Sequence, residues 1–157
     1  MDDLANKDPY LVGKKIVIAL SGGIDSIVLF HYLCSNYSGN VRAIHINHHL
    51  SKLSDDWSKF CFELCKNNNI DFKSIDINIE KSSNIEENAR ISRYNSLKSN
   101  LSKNEVLCTA HHQDDQAETL LLQLFRGSGV AGLASMPELK SFGHAYIYRP
   151  LLNICLL

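Results

Sequence analysis

The stretch SGGIDS, from Ser21 to Ser26, carries residue types that bind phosphate. Gly22 and Gly23 allow positive φ angles and a close backbone approach, so consecutive N–H groups can converge on an anion just before a helix begins. Ser21 and Ser26 add hydroxyl donors. Asp25 would repel a bare phosphate, but a cation between the two groups removes that repulsion. The stretch therefore predicts a site for phosphate together with Mg²⁺.

Two other interpretations of this stretch stay open. The first is an ordinary strand-to-helix turn, because paired glycines make such a turn easier to form. The stretch also matches neither of two common phosphate-binding motifs, since it lacks the lysine of G-x-x-x-x-G-K-[ST] and the spacing of G-x-G-x-x-G. Ala19-x-Ser21-x-Gly23 is also a variant of the G-x-S-x-G nucleophile elbow of hydrolases. That motif gives no reason for Asp25 and Ser26, whereas a phosphate site with a cation uses both.

A second cluster is HHQDDQAET, from His111 to Thr119. Asp114 and Asp115 follow a predicted strand, and Glu118 comes at i+4 and i+3, so the three carboxylates can share one helix face. Hard oxygen ligands suit Mg²⁺. Acids at a helix start can equally complement the helix dipole in solvent, and this interpretation is also kept.

Paired histidines and a pair of arginines supply further candidates. The histidine pairs His48–His49 and His111–His112 raise the alternative of a transition-metal centre that hydrolyses phosphoesters. Adjacent side chains of a strand point to opposite faces, so at most alternate histidines could converge. Arg90 and Arg93 are an i, i+3 pair that could clamp phosphate or an RNA backbone, or could form a basic face in water.

The elements that must position these clusters alternate between short β-branched runs and longer helical patterns. This alternation predicts an α/β fold with an open parallel sheet and helices on both faces. Strands are predicted over residues 15–20, 41–47, 71–77 and 106–110. SGGIDS, HINHH and HHQDD all fall at or just past the carboxyl ends of predicted strands, which is the edge where open α/β sheets bind ligands.

Three helical patterns separate or follow these strands. In the first, Ser54 is the predicted N-cap, and helical spacing predicts an apolar face made of Trp57, Phe60, Cys61, Leu64 and Cys65. The second begins at Ser83-x-x-Glu86, which has the spacing of a capping box. The third ends at Gly127 and carries Ala117, Leu120, Leu121 and Leu124 on one face.

Composition bounds the class of protein. A chain of 157 residues with 45% hydrophobic and 21% charged residues predicts a single globular domain over residues 1–157. The acidic start MDDLANKDPY and the shortness of every apolar run predict a soluble, cytoplasmic chain. Five cysteines without a C-x-x-C pair predict free thiols. The net charge of −1 provides no basic bias toward nucleic acid.

Taken together, the motifs resemble those of a known family. SGGIDS is similar to the pyrophosphate-binding loop of the N-type ATP pyrophosphatases, or PP-loop proteins, whose parallel α/β fold is adenine nucleotide alpha hydrolase-like. HINHHL, ARISRYNSL, HHQDDQAETLLLQLFRGSGVAGLASM and RPLL resemble the tRNA(Ile)-lysidine synthetases, from about Lys15 to Leu152. Related tRNA thiolation enzymes share the loop but use C-x-x-C cysteines, which this sequence lacks.

The resemblance implies a two-step reaction on the wobble cytidine of tRNA(Ile) with a CAU anticodon. A carbonyl oxygen of cytosine attacks the α-phosphate of ATP, pyrophosphate leaves, and L-lysine then displaces AMP. Implied cofactors are ATP and Mg²⁺. Implied nucleotide-binding residues are Ser21, Gly22, Gly23, Ile24, Asp25, Ser26 and His111. Implied catalytic residues are Asp25, Asp114, Arg90 and Arg93, and implied Mg²⁺ ligands are Asp25, Asp114, Asp115 and Glu118.

The sequence departs from the family pattern after RPLL. The family continues there into C-terminal domains that help to hold tRNA, whereas this sequence ends in LNICLL, so we expect those domains to be absent. An alternative function is therefore an ATP-binding module without independent tRNA-modifying activity. A His/Asp metal-dependent phosphoesterase is the other alternative.

Overall fold

The computed structural model describes residues 8–37, 39–78, 85–127 and 136–154. Its strands are β1 (Lys15–Ala19), β2 (Val41–Asn47), β3 (Asp71–Asp76), β4 (Glu105–Cys108), β5 (Leu139–Phe142) and β6 (Ala145–Tyr148). Its helices are α1 (Ile24–Asn36), α2 (Ser54–Asn67), α3 (Ile85–Ser99) and α4 (Gln113–Phe125). The strands form a six-stranded sheet in the order β3-β2-β1-β4-β6-β5.

The α/β class is confirmed, and the sheet is mostly rather than wholly parallel. The four predicted strands all occur; β2 has its predicted bounds, and the ends of the other three shift by one or two residues. Pairing is parallel from β3 through β2, β1 and β4 to β6, while the edge strand β5 runs antiparallel to β6. The β5–β6 hairpin was not predicted. Phe142 pairs with Ala145, so a two-residue loop suffices, and Gly143 supplies its positive φ of 68°.

Helices cover both faces of the sheet, as predicted. On one face, Leu29 and Phe30 of α1 and Cys61 of α2 pack with Ile16 and Ile18 of β1 in one buried cluster. On the other face, a second cluster joins Leu97 of α3 to alternate strand residues, namely Val17, Ile44, Leu107 and Ile147. Strand β1 is buried on both faces because its successive side chains enter the two clusters in turn.

The structure corrects two expectations about α2. Within this helix only Cys61 and Cys65 are buried, whereas Trp57 is 54% exposed and Phe60 47% exposed. The helix also begins at Ser54 rather than after it, and the Ser54 hydroxyl accepts a hydrogen bond from the Ser51 N–H at 3.1 Å instead of capping. Amphipathic spacing predicted one continuous buried face, but the sheet covers only the half of that face around the cysteines.

Helix α4 ends where the sequence predicts, but its predicted apolar face is not buried. The helix ends at Phe125, and Gly127 adopts a positive φ of 65°, as expected of a C-terminal glycine. No residue of α4 is buried, and the leucines of its predicted apolar face are at least 37% exposed. The proposed capping residue Ser83 lies outside the described residues, as does Cys155, and the four described cysteines are free thiols.

Candidate functional site

A cavity of about 470 Å³ opens at the carboxyl edge of the sheet, where β1, β2 and β4 end. Strand β1 lies between β2 and β4, and the chain leaves β1 toward β2 on one side and later returns to β4 on the other. Such a reversal of strand order leaves a crevice at which open α/β sheets bind ligands. The three polar clusters found in the sequence, SGGIDS, HINHH and HHQDD, all contribute residues to the walls of this cavity.

The SGGIDS turn has one glycine at positive φ rather than two. Gly22 has a φ of 89°, as predicted, but Gly23 has a φ of −72° in extended backbone, so the prediction of positive φ at Gly23 is wrong. Gly23 is the N-cap of α1 and makes no side-chain cap, which leaves N–H groups at the start of α1 directed toward the turn. Ser21, Gly23, Asp25 and Ser26 line the cavity.

Hydrogen bonds of the two serines hold the turn in shape. The Ser21 hydroxyl donates to Ser26 Oγ at 3.1 Å and accepts from the Gly23 N–H at 3.3 Å. Ser26 in turn donates to the Gly23 carbonyl at 2.8 Å. The partners of Ser21 among the described residues thus include no histidine, so the geometry gives the nucleophile-elbow interpretation no general base. Ile24, the first residue of α1, is 76% exposed and does not line the cavity.

The carboxylates separate into two groups around His112. The Nε2 atom of His112 lies 3.7 Å from Asp25 Oδ2 and 3.6 Å from Asp115 Oδ2, which brings these two acids together at the cavity. Asp115 is held there because it also accepts the His112 N–H at 2.9 Å, closing a capping box at the start of α4. Asp114 contacts the other ring nitrogen at 3.8 Å with a 64% exposed side chain, and Glu118 is exposed.

The pair formed by Asp25 and Asp115 fits a magnesium ion bound to nucleotide. Mg²⁺ is commonly held by one or two carboxylates, with substrate phosphates and water completing its octahedron. Across the part of the chain that the structure describes, no group of three or more His, Cys, Asp or Glu side chains forms a metal-binding cluster. Asp114 and Glu118 do not line the cavity, so the geometry favours Asp115 over them as a partner for Asp25.

The histidines do not converge on a single centre. His48 and His111 line the cavity, while His49 lies outward, 2.9 Å from Asp76 Oδ1 and 3.4 Å from Asp55 Oδ1. His112 sits between carboxylates, as described above. With no cluster of three or more possible metal ligands among the described residues, the arrangement provides no support for the His/Asp transition-metal centre.

His111 is a neutral group in the cavity wall. Burial lowers its pKa to about 4, and the charges of Arg149 and Arg93 act in the same direction. Its Nδ1 lies 2.8 Å from the Thr109 hydroxyl. If that hydroxyl donates to Nδ1, the neutral ring carries its proton on Nε2 and can donate it to a ligand. Burial also lowers the pKa of His48, whose Nδ1 is buried without a hydrogen-bond partner among the described residues.

The two predicted arginines lie in different places. Arg93 lines the cavity, with its guanidinium 5.6 Å from the centre of the Tyr94 ring, and it is the one Arg or Lys in the cavity walls as far as the structure describes them. Arg90 forms an ion pair with Glu87 at 3.2 Å, and its side chain is 62% exposed. The geometry therefore brings Arg93, and not Arg90, to the site.

Several cavity residues were missed at the level of sequence. Thr109 lies two residues before His111, the first residue of HHQDD, and Tyr94 follows Arg93, so closeness to a candidate residue was the available signal. Trp57 was assigned to a buried helix face and instead lines the cavity. The available signal was its place in the first turn of the helix that follows HINHH.

Comparison with known proteins decides the family. The sequence profile of the PP-loop domain matches residues 2–155. The chain belongs to the PP-loop family. This PP-loop chain is 46% identical over 141 residues to the tRNA(Ile)-lysidine synthase of Actinobacillus pleuropneumoniae serotype 3 (strain JL03), covering 90% of this chain and 33% of that protein. It is 47% identical over 146 residues to the enzyme of the same name from Photorhabdus laumondii subsp. laumondii, covering 89% and 33%.

The PP-loop chain thus spans about a third of the length of these curated relatives. Among solved structures it is similar to the U34-tRNA thiolase NcsA from Methanococcus maripaludis, with a TM-score of 0.77, 23% identity and coverage of 96% of this chain and 55% of that one. It is also similar to the NH3-dependent NAD synthetase from Campylobacter jejuni, with a TM-score of 0.55, 19% identity and coverage of 91% and 60%. At these identities the similarity concerns the fold. Within the described residues, no helix is long and apolar enough to cross a membrane.

Proposed function

We propose that this PP-loop chain acts as one ATP-binding domain over residues 1–157 and catalyses the ATP-dependent joining of L-lysine to the wobble cytidine of tRNA(Ile) with a CAU anticodon. The observation that carries the proposal is the meeting of the SGGIDS turn, the Asp25–Asp115 pair and Arg93 in one cavity. The identity of 46–47% with tRNA(Ile)-lysidine synthases supports this substrate class. A reaction on tRNA with ATP and free lysine belongs in the cytoplasm.

The cavity offers the parts that such a reaction needs. Backbone N–H groups of the turn and of the α1 start would bind the departing pyrophosphate. Asp25 and Asp115 would hold Mg²⁺, which neutralises phosphate charge when bound. Arg93 and the neutral His111 would stabilise charge that develops on the α-phosphate.

No protein nucleophile takes part in this scheme. In the first step, a bond forms between the cytosine carbonyl oxygen and the α-phosphorus while the bond from that phosphorus to the bridging oxygen of pyrophosphate breaks. In the second step, the amine of lysine forms a carbon–nitrogen bond with the ring, AMP leaves with the former carbonyl oxygen, and the amine loses a proton. The protein positions the reactants and stabilises charge.

The charge balance favours a second candidate, an ATP-binding module with little tRNA-modifying activity of its own. The chain has 16 Lys and Arg against 17 Asp and Glu. Affinity for tRNA depends on neutralising several phosphates, because each neutralised phosphate releases counterions. Few cations are left to form a continuous basic surface, so this candidate predicts ATP binding without lysine transfer.

One experiment separates these functions. Isothermal titration with ATP in the presence and absence of Mg²⁺ is followed by incorporation of labelled lysine into tRNA(Ile), with Asp25→Asn as the control. Mg²⁺-dependent ATP binding with lysine incorporation supports the enzyme, and the same binding without incorporation supports the module. Absence of ATP binding refutes both. Phosphoester hydrolysis that needs Zn²⁺ or Mn²⁺ but no ATP would indicate the phosphoesterase alternative.

A further inference from the structure

Trp57 is a large aromatic side chain left half in solvent at the wall of the cavity. It is the single tryptophan of the chain, and 54% of it is exposed. Leu50, which lines the same cavity, is 55% exposed. Burying such surfaces is favourable, so an aromatic group left open beside a binding site marks a place where a ligand can cover it.

The position of Trp57 places it beside the phosphate-binding turn. A Cβ atom at Gly22 would lie 3.8 Å from Trp57 Cβ and 3.4 Å from Cys61 Sγ, so α2 lies directly against the turn. A ligand that reaches the α-phosphate from the α2 side would therefore pass the indole.

On the α3 face of the sheet, the cavity wall includes a group of apolar side chains. There Ala19 and Ile46 pack partly buried against the cluster that contains Leu97 of α3, while α2 packs through Cys61 into the opposite cluster. Ala19, Ile46 and Leu97 all line the cavity and give it an apolar wall that suits the adenine of ATP. With phosphates on the turn and adenine against this wall, the α2 end stays free for a second planar group.

Charge near Trp57 favours a base over a phosphate. Asp55 and Asp56 belong to the first turn of α2, so this end of the cavity does not attract an RNA backbone. The indole face and the Ser51 and Ser54 hydroxyls nearby suit the face and the polar edge of a nucleobase.

We propose that Trp57 is a stacking platform for an unpaired RNA nucleobase, and that it holds this base in the cavity opposite the apolar wall formed by Ala19, Ile46 and Leu97. The inference rests on the proposed function because it names where the RNA base would lie. Aromatic stacking changes affinity by roughly 5- to 100-fold per base. Trp57 is a positioning residue in this scheme and takes no part in bond making.

The test uses the full chain and the fluorescence of its single tryptophan. The probes are an RNA stem-loop with a CAU loop, the same stem closed by an abasic loop, and ATP with Mg²⁺. We expect the CAU stem-loop to quench Trp57 emission and the abasic stem-loop to leave it unchanged. The variants lack tryptophan, so their affinities are measured by isothermal titration. Trp57→Leu should weaken binding of the CAU stem-loop by roughly 5- to 100-fold, Trp57→Phe should retain most of the affinity, and ATP affinity should stay constant in both.

Phe60→Leu is the matched control, because Phe60 is also a half-exposed aromatic residue of α2 but does not line the cavity. Equal stem-loop affinity in Trp57→Leu and the unaltered chain, or no stem-loop binding by the unaltered chain, overturns the inference. Quenching by ATP together with loss of ATP affinity in Trp57→Leu also overturns it and assigns the indole to adenine. Failure of the proposed function is read from separate measurements, because it appears as absence of ATP binding or as ATP binding without lysine incorporation by the unaltered chain.

Discussion

Gly22→Ala tests whether ATP binding requires the left-handed backbone of the SGGIDS turn. Gly22 has a φ of 89°, beyond the range that residues with a Cβ adopt readily. An added methyl has space, since its nearest neighbours are Cys61 Sγ at 3.4 Å and Trp57 Cβ at 3.8 Å. The cost is therefore conformational, about 2 kcal/mol.

The conformational cost lowers the stability of each state, free or ATP-bound, in which the turn keeps the positive φ of residue 22. If the free protein keeps the turn, its free energy of unfolding falls by about 2 kcal/mol, which lowers Tm by roughly 4–8 °C for a chain of this size. If the free protein relaxes the turn instead, ATP must rebuild it, and the Kd rises by roughly 30-fold. In both cases the free energy of unfolding of the ATP-saturated variant is lower than that of the ATP-saturated unaltered protein by the same amount.

Gly23→Ala is the matched control. Gly23 has a φ of −72°, and an added Cβ would meet only Ser21 Oγ at 3.5 Å, which is ordinary contact. Both variants are measured by thermal unfolding, with and without saturating ATP and Mg²⁺, and by isothermal titration. Equal Tm and equal ATP affinity in the two variants would refute the claim that the positive φ of Gly22 shapes the site.

Three further predictions concern the cavity. Asp115→Asn should weaken Mg²⁺-dependent ATP binding by about tenfold while Asp114→Asn changes it little, because only Asp115 joins Asp25 at the cavity. Titration of both variants with ATP at several Mg²⁺ concentrations checks this, and equal effects of the two substitutions would contradict it. Arg93→Gln should lower the rate of ATP–pyrophosphate exchange in the presence of tRNA(Ile) by about tenfold or more, while Arg90→Gln, which breaks only an exposed ion pair, leaves that rate near the original value. The pKa of His111 is lowered from 6.5 to about 4, so between these values the unfolded chain binds a proton that the folded state does not. The free energy of unfolding should therefore be highest above pH 6.5 and should fall by roughly 2–3 kcal/mol as the pH drops to 4. Urea unfolding across this range measures the loss, and an unchanged pH dependence in His111→Gln would refute its assignment to His111.

The sequence by itself determined most of the strands and helices and the edge of the sheet at which the candidate site residues lie. Near-continuous apolar runs such as Ile16–Ile18 predicted buried parallel strands, because a strand covered on both faces needs apolar residues at every position. The polar clusters after β1, β2 and β4 then had to share one edge, since parallel strands end on the same side. Local chemistry also predicted the positive φ at Gly22 and the end of α4 near Gly127.

Only the tertiary structure decided which members of each cluster act together. Asp114 and Asp115 are neighbours in sequence but lie about 100° apart around a helix, so one can face the cavity while the other faces solvent. The choice of Asp115 depends on how α4 is set against the start of α1, where His112 contacts both Asp115 and Asp25. Spacing along one segment contains no information about that placement.

The same reason explains Arg93 and Trp57. Arg90 and Arg93 share a helix surface at i, i+3, yet only Arg93 reaches the cavity, while Glu87 pairs with Arg90. Apolar periodicity predicted that Trp57 would be buried with Cys61, but periodicity describes a direction around the helix and not how far the sheet extends beneath it. Burial and the make-up of a site depend on contacts between distant segments, which form only when the strands and helices are assembled.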